Sequence, residues 1–262
     1  MKQAQDLGYK SEARRGLLFV FMAGVLWSTV GLGIRMIDEA TVWQILLYRS
    51  ISLSLFLAIV IYLRSSENLF TVVRAAGLPA CIAGLALVGA YAGGIYGIQS
   101  TSVANAMLLF ASAPFMAAIL GWIFLREKVR KATWISILFA MLGIGIMVQD
   151  KSTGSALLGN LAALGSAFGF AVFTVALRWG RSGEMLPAVF LSGIFAIFIT
   201  SSICLLSGLS FQISVNDTSI SMGMGVFQVG AGLVLYTLGS KTLPAAELTL
   251  LSLRSEEHTS EL

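Results

Sequence analysis

Charge is what this sequence has least of. Only 11% of its 262 residues are Asp, Glu, Lys or Arg, where a soluble globular domain carries about a quarter. With 57% hydrophobic residues, the chain has too little polar surface for a soluble globule and reads as an integral membrane protein. Histidine occurs once, at His258, which leaves no imidazole pair for acid–base work or for a zinc site. Cys81 and Cys204 both fall inside apolar runs; they carry no information on redox compartment, and neither has metal-ligand spacing. There is no ATP-binding loop of the Walker type, so any transport would draw on a gradient or on downhill efflux. No metal and no cofactor is expected. The net charge of +4 does not point to nucleic acid, because the basic residues lie in short loops between apolar runs, the distribution that orients membrane proteins.

What is present is a series of long apolar runs. Residues 102–125 carry no charge, and about 24 residues at a rise of 1.5 Å each suffice to cross the hydrocarbon core. The run ends at Arg126, Glu127, Lys128, Arg130 and Lys131, a cluster expected to stay cytoplasmic. Pro114, near its middle, removes one backbone hydrogen bond and is expected to kink the helix. Further spans are expected near residues 16–37, 41–63, 75–98, 131–149, 156–178, 187–208 and 220–241, with an incomplete one at 244–253. The run from residue 16 is too long for a signal-peptide core and is retained as the first span, behind a polar leader of residues 1–15.

Charge tests the count. With the leader inside, alternate loops place Arg64 and Arg74, the Arg126 to Lys131 cluster, Arg178 and Arg181, and Lys241 in the cytoplasm, which accounts for most of the 17 basic residues. Of the loops assigned outside, only that around Lys151 carries a clear cation, and miscounting one helix would reverse the pattern downstream. Five spans precede Lys151, so a second set of five must lie inverted relative to the first. Two internal matches support a duplication. Ala104 and Asn105 align with Ala246 and Glu247, and the spacing from Gly16 to Arg35 recurs from Gly159 to Arg178.

Ala104-Asn105, Pro114 and Phe124-Leu125-Arg126-Glu127, followed by a helix with Gly143 and Gly145, resemble the EamA repeat of the drug/metabolite transporter superfamily; Trp27, Arg49 and Ala245-Ala246-Glu247 fit it too. The resemblance covers nearly the whole chain to about residue 253. It implies an all-α integral membrane fold of two inverted five-helix repeats, here residues 16–150 and an incomplete 151–253, with about nine of ten helices present. It further implies a central cavity that moves small metabolites or drugs, often outward, and names no particular substrate. Many relatives have Gly where this chain has Arg126, a departure expected to matter little at the membrane surface. Residues 254–262 read as translated sequencing adapter and are set aside as a non-native tail; a natural acidic tail is the alternative.

Few residues inside the spans bear chemistry. Arg49 lies about eight residues, roughly 12 Å, from the outer end of the second span. It either attracts an anionic group on a substrate or bonds helix carbonyls and positions the span. Glu247, three residues past Pro244, either couples a proton to transport or caps a helix start, where the dipole favours a negative charge. Asn105, its counterpart, does not titrate. Gln44, Gln228, Trp27, Tyr91 and Tyr236 are candidate cavity-lining residues, although aromatic residues in membrane helices also pack or form interfacial belts. Gly89, Gly93 and Gly97 form small-xxx-small steps for close helix packing, a face that can also slide; Gly225, Gly232 and Gly239 recur every seventh residue of the eighth span.

The expected function is secondary transport of a small molecule by alternating access, as an exporter in the cell inner membrane with the amino terminus cytoplasmic. The expected partners are the substrate, the lipid bilayer and, as an open candidate, a second copy of the chain. A membrane enzyme acting on lipid-linked substrates is the alternative from another class. It would need paired carboxylates, a metal cluster or an activated nucleophile, and the spans supply only Arg49 and Glu247 as ionisable groups. A passive channel lacks a filter-like loop.

Overall fold

The computed structural model describes residues 2–64, 69–129, 131–149, 155–180 and 186–240. They form helices joined by short connections, with no strand among the described residues. Such uniformity follows from the medium: without water to satisfy stray N–H and C=O groups, a spanning segment must close its hydrogen bonds within itself. Among the described residues, seven helical segments are long and apolar enough to cross a membrane. The side chains on their outside are apolar, as at Leu85, Phe124, Phe139, Phe198 and Leu206, which suits lipid rather than water.

Helices α1 (Lys2–Ser28) and α2 (Val30–Arg35) make the first span, broken at Thr29. The residues from Lys2 onward are helical and continuous with the rest of α1, while the stretch apolar enough to cross a membrane begins at Arg15. Helix α3 runs over Val42–Arg64. Helix α4, Leu69–Ser100, begins six residues before the expected start and is broken at Gly77 (φ 63°), two residues before Pro79; only glycine adopts that backbone region without strain. Helices α5 (Val103–Phe110) and α6 (Ala113–Leu125) share the fourth span. The break falls at Ala111 and Ser112, and Pro114 sits in the first turn of α6, where its missing N–H leaves no bond unmade.

Helices α7 (Lys131–Gln149), α8 (Ser155–Trp179) and α9 (Leu186–Leu206) follow. The last described span is composite: α10 (Val215–Gly223), a π-helical stretch (Met224–Ala231) and α11 (Gly232–Ser240). The ninth span, with Pro244 and Glu247, lies outside the described residues, as do Lys151 and Lys241.

Small residues bring these helices together. At Gly93 an added Cβ would meet the Ala162 carbonyl oxygen at 2.6 Å, and at Gly169 the Ala86 carbonyl oxygen at 2.8 Å, so α4 and α8 touch backbone to backbone, running antiparallel. Gly97 likewise faces Gly159 and Ala163, whereas Gly89 faces open space. The composite last span runs antiparallel to the first in the same manner, Gly232 against Trp27 and Gly239 against Val20 and the Gly16 carbonyl. The pattern is reciprocal: the first helix of each half packs on the third span of the other. Helices α3 and α9 pair across the centre, with Gly193 against Ser54 and the Ser50 carbonyl. Between apolar helices in lipid, this close approach supplies the dispersion and hydrogen bonding that hold the bundle together.

Candidate functional site: a cavity with one buried cation

Between the two halves lies a cavity of about 120 Å³. Its wall draws on α1 and α2 (Trp27, Val30), α3 (Arg49), α4 (Tyr91, Ile95), α5 (Phe110), α8 (Ser166, Phe170) and the π stretch (Gln228). Most of the wall is aliphatic or aromatic, and Arg49 is its only charged residue.

Arg49 is 3% exposed. Its guanidinium carbon stands 4.5 Å from the centre of the Tyr91 ring, a distance at which the ring's negative face attracts the cation. Among the described residues its Nη2 has no hydrogen-bond partner and no carboxylate lines the cavity. A buried cation left in this state costs several kcal/mol, a cost that an anionic group beside it would offset.

Gln228 sits in the middle of the π stretch, a geometry that recurs at functional sites. Its Nε2 donates to Thr29 Oγ1 at 3.1 Å, and Thr29 Oγ1 donates in turn to the Leu26 carbonyl at 2.8 Å. Since the hydroxyl hydrogen is spent on Leu26, Thr29 has only lone pairs for Gln228. Thr29 itself lies at the break between α1 and α2, outside the cavity lining. The π stretch is seated by Gly225, whose added Cβ would collide with the Arg49 carbonyl and Ser52 Oγ. Trp27 and Phe170 meet edge to face with centroids 5.5 Å apart, and Tyr236 backs both rings at 5.2 and 5.7 Å.

Of the residues expected from sequence, Arg49, Trp27, Tyr91 and Gln228 line the cavity. Tyr236 forms the layer behind it, fully buried, its hydroxyl 3.3 Å from Thr174 Oγ1. Gln44 does not line it: its Oε1 accepts from the Thr41 N–H and its Nε2 donates to the Ser210 carbonyl at 2.6 Å. Asn105 stands in the first turn of α5, where its N–H is capped by Ser102 Oγ at 3.1 Å. Glu247 lies outside the described residues.

Two polar ties between the halves were not foreseen. At one end, Asp217 is fully buried and accepts from the backbone N–H groups of Asp38, Glu39 and Ala40 at 3.2, 3.2 and 3.0 Å. Tyr48 adds a bond to the Phe211 carbonyl at 2.6 Å. At the other end, Arg178 Nη2 lies 3.2 Å from Glu127 Oε1. Arg126 makes that contact reachable: its left-handed backbone (φ 54°) turns the chain so that the Glu127 N–H folds back to the Gly121 carbonyl. The expectation that Arg126 matters little is thereby corrected, because this is the conformation in which glycine is at ease and an L side chain is strained.

Membrane-length helices around a shared cavity make this a multi-pass membrane protein. The sequence profile of the EamA-like transporter family matches residues 14–149, just over half of the chain, and the chain belongs to that family. Relatives include protein RarD of Salmonella typhi, 27% identical over 199 residues, 72% of this chain and 65% of that protein. The uncharacterized transporter YetK of Bacillus subtilis is 36% identical over 87 residues, 31% of this chain and 26% of that protein. The chain spans less than two thirds of the length of these curated relatives. A solved crystal structure superposes with a TM-score of 0.72 at 18% identity, over 92% of this chain and 84% of that one, a likeness of fold. Family and relatives point to a transporter rather than an enzyme.

Proposed function

We propose that this protein is a secondary transporter that carries a small anionic metabolite or drug outward across the cytoplasmic membrane, by alternating access between two inverted repeats, residues 16–150 and 151–253. The observation that carries the reading is Arg49, buried and short of a partner in a cavity walled by both halves. The reciprocal packing of first and third spans supports the inverted repeat, and substrate sites at such a repeat interface are usual. The ties at Asp217 and at Arg178–Glu127 stand at opposite ends of the bundle, where an alternating carrier needs its two closures. The leader and the Arg178 end are placed in the cytoplasm on charge. An enzyme is the weaker reading, since among the described residues no acid, histidine or cysteine lines the cavity to supply general acid–base or nucleophilic chemistry.

The test is uptake of labelled small carboxylates into inside-out vesicles, with wild type and Arg49→Gln at matched membrane levels. Loss of at least tenfold in apparent affinity in the variant is expected. Unchanged affinity and rate would remove Arg49 from the site.

A further inference from the structure

Resting on that reading, we propose that Gln228, oriented by Thr29, is a specificity-determining residue and that the substrate is a small hydroxycarboxylate. The anion goes to Arg49 and the hydroxyl donates to Gln228 Oε1. The amide is not free to turn: Thr29 Oγ1 is already a donor to Leu26, so Gln228 must present Nε2 to it. That leaves Oε1 as an acceptor, and it is buried with no partner. The site therefore holds an unmatched donor on Arg49 and an unmatched acceptor on Gln228, together with the Tyr91 hydroxyl, which can serve as either. A simple carboxylate would satisfy the first and strand the second, and leaving a buried acceptor unsatisfied is what makes such sites selective.

Charge and size narrow the class. Among the described residues one cation and no acid line the cavity, so a monoanion matches, whereas an ammonium donor would bring in a second charge that none of these residues neutralises. An apolar cavity of about 150 Å³ accommodates benzene, so the 120 Å³ here fits roughly six non-hydrogen atoms. The donor is a hydroxyl on a short, otherwise apolar acid.

The experiment is calorimetric titration of the full chain in detergent with propionate, lactate, alanine and lactamide. Lactate is expected to bind about tenfold more tightly than propionate, with alanine and lactamide weaker than lactate. In Gln228→Leu the ratio of lactate to propionate affinity should fall to about one; Thr29→Val, which frees the amide, should lower the same ratio and serves as a second variant, with thermal melting as the folding check. Equal binding of lactate and propionate by wild type, an equal loss of both in Gln228→Leu, or alanine binding more tightly than lactate would overturn the proposal and leave the anion site standing. Lactamide binding as well as lactate, with Arg49→Gln indifferent, would overturn the anion site itself. Binding of none of the four would overturn both.

Discussion

Trp27 and Phe170 meet edge to face, their ring planes at 89°, and they occupy corresponding places in the two halves: the offset that takes Gly16 to Gly159 and Arg35 to Arg178 takes Trp27 to Phe170. Corresponding residues touch only where a two-fold axis passes between them. Phe170→Ala should therefore both open the cavity and weaken the bundle, by about 3–5 kcal/mol if the site does not collapse. A thermal melt in detergent measures this; a change below about 1 kcal/mol would mean the rings do not hold the halves together.

Gly225 and Gly89 form a matched pair. A methyl at Gly225 would run into the Arg49 carbonyl and Ser52 Oγ, whereas at Gly89 it meets nothing within 4 Å. Gly225→Ala is expected to destabilise the protein, because a backbone carbonyl has little room to yield. Gly89→Ala should be neutral or stabilising by up to about 1 kcal/mol, since it only restricts the unfolded chain. Similar melting temperatures for the two variants would contradict the packing described.

Arg126 holds a left-handed conformation that costs an L residue roughly 1–2 kcal/mol relative to the right-handed one. Arg126→Gly should raise stability by about 1 kcal/mol, with the Arg178–Glu127 contact kept. Denaturation in mixed micelles would register the gain, and a loss instead would show that the Arg126 side chain itself is needed.

The Arg178–Glu127 pair is partly exposed, at 9% and 28%, so a double-mutant cycle with Arg178→Gln and Glu127→Gln is expected to give a coupling of at most about 1 kcal/mol. Its kinetic effect should be larger than its effect on stability. If the contact closes one end of the transport path, the charge-neutral pair will exchange substrate faster than wild type at saturating concentration; an unchanged rate would mean that the contact merely ties two loops.

Much of the architecture is legible in the sequence because lipid enforces it. The spans at residues 41–63 and 156–178, delimited by hydropathy and loop chemistry, recur within a residue or two as α3 and α8. Arg49 is legible for the same reason, as a charge that the medium makes expensive. What the sequence conceals is produced by local backbone events. The break at Thr29 and the π stretch around Gln228 leave no hydropathy signal, yet together they aim one amide into the cavity. Gln44 resembles Gln228 in type, but the Thr41 N–H and the Ser210 carbonyl claim its amide, and Asn105 stands in the first turn of α5, outside the cavity lining. Phe170 was missed although the internal offset points straight to it.

The bonds to Asp217 come from three main-chain amides, and amides are the same whatever side chains they carry. The side chains at positions 38 and 39 can therefore change without removing these bonds, whereas a change at position 217 removes all three at once.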